Sequence, residues 1–131
     1  MAMLIHNVEP LLLKYGVDVA FWGHNHAVQR QAAVARGEVV QHAEERVNDR
    51  GETVWWHESP GAPVHMVVGT AGAGFTVNAN VPGPDWNELT FYEWGYARVV
   101  AESAEMLTWE WVNAKEGEVR DKMAISKKAA A

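Results

Sequence analysis

A chain of 131 residues can form one hydrophobic core, and its 48% hydrophobic and 21% charged residues are typical of a globular domain. The formal net charge of −6, from 17 acidic and 11 basic residues, argues against nucleic-acid binding, which needs clustered basic side chains. No apolar run approaches the ~20 residues of a membrane-spanning helix, so no membrane partner is expected. The absence of cysteine excludes disulfides and thiolate metal sites.

The N-terminal region has the spacing of an amphipathic helix. Its apolar residues recur at intervals of one, three and four: Leu4, Ile5, Val8, Leu11, Leu12 and Tyr15. Pro10 interrupts this pattern, so we predict that the stronger helix begins near Glu9 with Pro10 in its first turn. Gly16 is predicted to cap the helix, whose apolar face is expected to pack in the core.

The largely apolar run at 17–22, interrupted only by Asp18, predicts a buried strand, and Gly23-His24-Asn25-His26 follows it directly. We call these four residues the GHNH loop. Gly23 allows a sharp turn, and the end of a strand is a rigid platform for ligands. Because neutral imidazole is a common metal ligand, His24 and His26 are candidate metal ligands; the alternative is that they are ordinary polar loop residues. Two histidines cannot complete a zinc site, and the other histidines lack a suitable spacing.

Residues 31–61 show the weakest pattern. Short apolar runs on both sides of Gly37 predict two short strands, and the polar residues 41–52 predict a solvated loop or an irregular hairpin with a turn at 48–51. We therefore interpret this region as an irregular insertion. His42 and His57 lie within it, and we expect them to be exposed or hydrogen-bonded rather than metal-ligating.

Residues 64–68 predict a second buried strand, which runs into the glycine-rich residues 69–74, here called the glycine loop. Three glycines in six residues indicate a backbone that approaches another surface closely. A phosphate-binding cradle is the functional alternative, but the lysine and hydroxyl residue of a P-loop and the helix of a dinucleotide site are missing. We favour a tight structural loop that faces the GHNH loop.

Three β-like runs follow a turn-rich stretch at 81–85. Residues 94–101, 106–112 and 119–125 are joined by hairpin-sized links and predict a C-terminal β-meander. Leu107, Trp109 and Trp111 share one face of the second run. Such aromatic residues form either a carbohydrate-stacking surface or the core of a sheet, and we favour the core.

The chain resembles the purple acid phosphatases, which belong to the calcineurin-like metallophosphoesterases. Residues 9–26, which end in the GHNH loop, are similar to the last metal-binding motif of that family. Four further stretches of the chain are similar to the family's C-terminal segment and occur in the same order as there: 62–69, 94–98, 107–111 and 119–121.

This resemblance implies the C-terminal part of an αββα sandwich, an α/β (α+β) fold with an N-terminal helix followed mainly by strands. We interpret 1–131 as one domain or fragment. Residues 1–30 form the helix, strand and metal motif, 31–61 the irregular insertion, and 62–131 the β-rich segment. The family's Tyr-Glu-Arg after the second histidine is Val28-Gln29-Arg30 here, and we favour a structural pairing of Arg30 over a substrate contact.

The resemblance also implies an acid phosphatase that hydrolyses phosphate monoesters at a dinuclear metal centre. His24 would bind the divalent ion (Zn, Mn or Fe(II)) and His26 the Fe(III). The family's other ligands are aspartate, tyrosine, asparagine and a further histidine, and they lie in upstream motifs that this sequence lacks. We therefore expect the 131-residue chain alone to be inactive. Its partners would be the missing N-terminal half of the catalytic domain and a small phosphate ester.

The alternative is a catalytically inactive β-rich fragment, or a protein-interaction module without bound metal. Sheet edges left uncovered by a missing N-terminal half would favour self-association or partner binding. Family analogy implies a secreted or vacuolar setting, although the N-terminal residues do not have the pattern of a signal peptide.

Overall fold

The structure is a computed structural model that describes residues 2–77 and 84–128. Within these ranges, two short helices precede ten strands. The helices are α1 (Ala2–Asn7) and α2 (Glu9–Lys14). The strands are β1 (Val19–Trp22), β2 (Val28–Ala35), β3 (Glu38–Gln41), β4 (Glu44–Val47), β5 (Thr53–Glu58), β6 (Val64–Val68), β7 (Asn87–Phe91), β8 (Gly95–Ala101), β9 (Met106–Asn113) and β10 (Val119–Ser126).

The strands form two five-stranded sheets. Sheet A has the order β1-β6-β2-β3, and β7 also pairs with β2. Sheet B has the order β4-β5-β10-β9-β8, and its antiparallel strands β8, β9 and β10 confirm the predicted meander. Each sheet contains one parallel pair, β1 with β6 and β5 with β10. None of the helices that the structure describes is long and apolar enough to cross a membrane.

The core lies between the two sheets and draws residues from both. Its buried members are Val28, Ala33, Ala62, Val64, Met66, Trp109, Trp111, Met123 and Ile125. Trp109 and Trp111 are completely buried, and Trp111 packs edge-on against Phe91 with ring centroids 4.9 Å apart. The interpretation of these tryptophans as sheet core is therefore confirmed. The face cannot stack a carbohydrate, because the opposite sheet covers it.

The predicted start and end of the second helix are confirmed. Pro10 lies in the first turn of α2, where a missing N–H costs no hydrogen bond. Gly16 has φ 61°, and the N–H groups of Gly16 and Val17 donate to the carbonyls of Leu13 and Leu12. These two bonds form the closing arrangement in which glycine is favoured, because an L side chain is strained at that φ.

The helices do not pack in the core as expected. None of the α2 residues is buried, and Leu4, Ile5 and Leu11 are about half exposed. Leu13 does pack against the core. Two helices of six residues each can place few side chains against a sheet, so the rest of their apolar surface stays uncovered in this chain. β1 is likewise only partly buried, because within the described residues it pairs with β6 alone.

The word irregular does not describe residues 31–61, because most of them form regular strands in β2 to β5; the two short strands predicted on both sides of Gly37 are present as β2 and β3. Arg36 (φ 55°) and Gly37 (φ 78°) form the tight turn between β2 and β3. The predicted turn at 48–51 closes the β4–β5 hairpin, where the Asn48 side-chain oxygen accepts from the N–H groups of Arg50 and Glu52. Charged side chains on the exposed faces of these strands hide the alternation on which the prediction depended. The sequence pattern also missed β7, and residues 81–83 of the predicted turn lie outside the described residues.

A buried ion network joins the two sheets. Arg30 on β2 is 2% exposed, and its Nε donates to Asp121 of β10 at 2.8 Å. Its Nη1 donates to Glu88 of β7 at 2.7 Å, and its guanidinium lies 4.5 Å from the ring centroid of Trp55 on β5. The structural pairing expected for Arg30 is therefore confirmed.

His57 on β5 predicts a loss of stability in acid. It is fully buried, and its Nδ1 donates to the Gln41 side-chain oxygen at 3.0 Å. Burial lowers the pKa of His57 from 6.5 to about 4, although the charge of Glu88 opposes this shift. Between these two values the unfolded chain binds more protons, so stability falls as the pH drops from about 6.5 to about 4.

This contribution of His57 is on the order of 3 kcal/mol, because each pKa unit corresponds to about 1.4 kcal/mol. The measurement is urea unfolding of the wild type and of His57→Asn at several pH values in this window. The asparagine amide can still donate to Gln41 but does not titrate. We expect the stability gap between the two proteins to narrow or reverse in acid. If the unfolding free energies of the two proteins fall in parallel as the pH drops, His57 is not the cause of the loss of stability in acid.

Candidate metal-binding loop

Two loops meet at the same edge of sheet A. The GHNH loop follows β1 and the glycine loop follows β6, and these two strands are parallel neighbours, so their carboxyl ends lie side by side. A Cβ added to Gly69 would lie 1.9 Å from the carbonyl oxygen of Asn25 and 2.8 Å from that of Gly23. The close backbone approach predicted for the glycine loop is therefore confirmed, and the surface it approaches is the GHNH loop.

His26 is tied to the segment around the end of the glycine loop by three hydrogen bonds. Its backbone N–H donates to Thr76 Oγ1 at 3.0 Å, and its carbonyl accepts from the Thr76 N–H at 3.0 Å. Its ring Nδ1 lies 2.7 Å from the Gly74 carbonyl oxygen. Because a carbonyl can only accept, Nδ1 carries a proton, and in the neutral ring Nε2 has a lone pair for another partner. Metal-bound histidines commonly hold their second nitrogen in this way.

His24 is exposed on the same loop. Within the described ranges its ring forms no hydrogen bond with another residue. The ring of His26 is thus oriented by a hydrogen bond, whereas that of His24 is not. No group of three or more His, Asp or Glu side chains suited to a metal occurs in the part of the chain that the structure describes.

Aromatic side chains support the glycine loop. Trp94 Nε1 donates to the Ala73 carbonyl at 3.1 Å, and the Phe75 ring lies 5.2 Å from Trp94 and 6.1 Å from Tyr92. Sequence reasoning did not identify Phe75, Thr76 or Trp94 as supports of the site. Their position was the one signal in the sequence. Phe75 and Thr76 directly follow the glycine loop, and Trp94 directly precedes β8.

The histidines His42, His57 and His65 have other partners. His42 Nδ1 is 3.1 Å from Glu88, as expected for a hydrogen-bonded residue, and His57 is bonded to Gln41. His65 Nδ1 accepts from the indole N–H of Trp22 at 3.0 Å, and burial lowers the pKa of His65. The chain therefore presents a pair of imidazoles at one sheet edge, which fits part of a metal centre but not a complete one.

Comparison with known proteins finds similarity to purple acid phosphatases. A family profile described as "Iron/zinc purple acid phosphatase-like protein C" matches residues 62–122. The chain is 35% identical to "Probable inactive purple acid phosphatase 9" of Arabidopsis thaliana over 93% of its length, which is 18% of that protein. It is 30% identical to "Acid phosphatase type 7" of Danio rerio over 92% of its length and 26% of that protein.

A solved structure shows the same fold. The purple acid phosphatase from yellow lupin (Lupinus luteus) seeds matches 95% of this chain with a TM-score of 0.75 and 24% identity, over 19% of its own length. The chain thus spans about a fifth of the length of this phosphatase and of the first Arabidopsis relative. The described sheets are those of the C-terminal part of a metallophosphoesterase sandwich. The GHNH loop and the C-terminal match follow one another in the order of that family. The chain therefore belongs to the purple acid phosphatase family, and it corresponds to the C-terminal portion of such a protein.

Proposed function

We propose that this chain supplies two ligands, His24 and His26, to a dinuclear metal centre that hydrolyses phosphate monoesters. His24 would bind the divalent ion, Zn, Mn or Fe(II), and His26 the Fe(III). The remaining ligands would come from the N-terminal half of the catalytic domain. Such a pair of metals would clamp the phosphate and would activate a water molecule for attack on phosphorus.

The observation that carries this proposal is the orientation of the His26 ring. The bond from Nδ1 to the Gly74 carbonyl selects the tautomer in which Nε2 is an acceptor. The backbone bonds to Thr76 fix the position of the residue itself. An outer hydrogen bond of this kind aligns a metal ligand, and it leaves Nε2 as the ring nitrogen that would bind the metal.

The first prediction from this proposal concerns metal affinity. We expect the chain to bind Zn²⁺ or Co²⁺ weakly, because a pair of imidazoles lacks the other ligands. His26→Ala should lower the affinity by at least about tenfold, because even the loss of an outer hydrogen bond to a ligand costs that much. His24→Ala should have a smaller effect, because its ring is not pre-oriented. Isothermal titration calorimetry measures both.

His6→Ala is the matched control, because His6 is an exposed histidine on α1. It should bind the metal as the wild type does. Equal loss in all three variants, or no loss in His26→Ala, would contradict the assignment of the ligands.

Turnover of p-nitrophenyl phosphate tests the reaction itself. We expect none from the 131-residue chain and measurable turnover, with two bound metals, from a phosphatase in which this chain follows an N-terminal half of the same family. Exchanging His26 for Ala in that longer protein should abolish turnover. A longer protein with neither metal nor turnover would end the hydrolase proposal.

The second candidate is an inactive phosphatase-like protein that binds a partner without metal. Two observations favour it. The Arabidopsis thaliana relative carries the words "probable inactive" in its name, and, within the described residues, α1 and α2 expose apolar side chains while β1 is an edge strand. This candidate predicts a chain that self-associates or binds a protein and shows no metal affinity above that of His24→Ala/His26→Ala. Calorimetry and sedimentation on the same samples separate the two candidates.

A further inference from the structure

Trp22 is the last residue of β1 and directly precedes the GHNH loop. β1 and β6 are parallel, with Ala20 opposite His65 and Trp22 opposite Val67. Because alternate side chains of a strand share a face, Trp22 and His65 are diagonal neighbours on one face of sheet A. Trp22 is therefore the β1 side chain that adjoins the GHNH loop, and it can contact His65 across the sheet.

Two contacts hold the indole of Trp22 against His65. The indole Nε1 donates to His65 Nδ1 at 3.0 Å. The two rings are also stacked, with centroids 5.9 Å apart and an interplanar angle of 20°. The hydrogen bond sets the position of the indole edge and the stacking sets its plane, so together they leave the side chain one orientation.

The chemistry of the pair requires a neutral His65. An indole N–H is a donor only, so His65 Nδ1 must be unprotonated and the ring proton must lie on Nε2. Burial favours this neutral form and lowers the pKa of His65, against the opposing charge of Glu9 and a backbone hydrogen bond to Val34. His65 is therefore suited to act as a hydrogen-bond acceptor for Trp22.

The GHNH loop is held unequally at its two ends. Its exit is anchored by the Thr76 bonds to His26 and by the Gly69 N–H, which donates to the carbonyl of Ala27. At its entry, no hydrogen bond of Gly23, His24 or Asn25 to the rest of the chain occurs within the described residues. The Trp22 indole lies beside this entry and is held by His65 of the neighbouring strand β6.

We infer that His65 is a positioning residue for the metal-binding loop: by holding Trp22, it orients the entry of the loop so that His24 can approach the metal beside His26. This inference rests on the proposed metal site. His65 would then affect metal binding without being a metal ligand, and Trp22 would connect His65 to the loop.

The test uses a set of variants that separate the hydrogen bond from packing. Trp22→Phe keeps an aromatic ring but has no N–H, and His65→Leu keeps an apolar side chain but has no acceptor. His65→Asn keeps an acceptor oxygen at the position of Nδ1. We expect Trp22→Phe and His65→Leu each to weaken Co²⁺ binding severalfold but no more than His24→Ala does, the double variant to be no weaker than either, and His65→Asn to regain most of the affinity.

A second readout does not depend on metal. In the metal-free chain, the backbone ¹⁵N order parameters of residues 23–25, which report fast motion, should fall in Trp22→Phe and His65→Leu, while those of β6 and β2 stay at the wild-type values. His42→Gln, which removes a histidine on another part of the chain, should change neither the order parameters nor the Co²⁺ affinity. If His65→Leu fails to fold, Trp22→Phe still carries both measurements.

The possible failures are distinct. If the wild type binds no Co²⁺, the proposed function fails, and the order parameters alone decide whether His65 positions the loop. Unchanged order parameters at 23–25 in folded variants would overturn the inference. So would additive losses of Co²⁺ affinity in the double variant, because two members of one hydrogen bond cannot lose it twice.

Discussion

Replacing Arg30 with alanine is expected to cost about 3–5 kcal/mol of folding free energy, measured by urea unfolding at neutral pH. Arg30 is the cation between Asp121 and Glu88, and it lies between the two sheets with 2% of its surface exposed. Its removal leaves the Asp121 carboxylate buried with no cation to balance its charge. The cost comes mainly from that stranded charge, because a well-made buried pair contributes little net stability compared with apolar packing.

The pH dependence of this loss follows from the same charges. Burial raises the pKa of Asp121, and the charge and hydrogen bond of Arg30 oppose this rise. Without Arg30 the folded chain binds a proton at Asp121 at a higher pH than the unfolded chain does. The destabilisation is therefore fully present at neutral pH and becomes smaller as the pH falls.

Two controls make the prediction specific. Asp121→Asn in the Arg30→Ala background removes the stranded charge and should restore part of the stability. Arg30→Lys keeps the positive charge, but an ammonium group cannot contact both carboxylates as the planar guanidinium does. Its loss of folding free energy should therefore be smaller than that of Arg30→Ala but not zero. A loss below about 1 kcal/mol in Arg30→Ala, typical of surface ion pairs, would mean that the network is solvated.

Gly69→Ala is expected to disrupt the metal site more than the fold. The new methyl group would lie 1.9 Å from the carbonyl oxygen of Asn25, which is backbone and cannot turn away as the end of a side chain can. The GHNH loop must therefore shift relative to the glycine loop. Overpacking of this kind costs about 1–3 kcal/mol in stability. The affinity for Co²⁺ should fall at least about tenfold, because His24 and His26 move with the loop.

Gly74→Ala is the matched control, because a methyl group at Gly74 in the same loop has no heavy atom within 4 Å. It should keep both stability and Co²⁺ affinity near the wild-type values. Calorimetry gives the affinity, and thermal unfolding separates a shifted loop from an unfolded chain. Wild-type affinity in Gly69→Ala would mean that the two loops move apart freely and that their close contact does not shape the site.

Local patterns in the sequence were sufficient for much of this architecture. The proline at the start of α2, the glycine after it and the apolar runs of β1 and β6 act over a few residues, so their structures could be predicted from spacing alone. The same holds for the meander and for the inward face of β9. The GHNH loop was also visible, because its histidines stand beside each other in the chain. The assignment of both histidines to metal, and the division of the chain at 30 and 61, remain predictions.

What the spacing could not reveal depends on contacts between distant segments. His26 is oriented by Gly74, 48 residues away, and Arg30 is paired with Asp121, 91 residues away. The strands within 31–61 are stabilised by pairing, as β5 is by β10 of the meander. A period of two shows which side chains share a face, but it carries no information about the partner strand or its register. The partner strand and its register are selected because they bury both sheets against one core. The free energy of this burial is gained only when the whole chain is folded, so no single segment contains it.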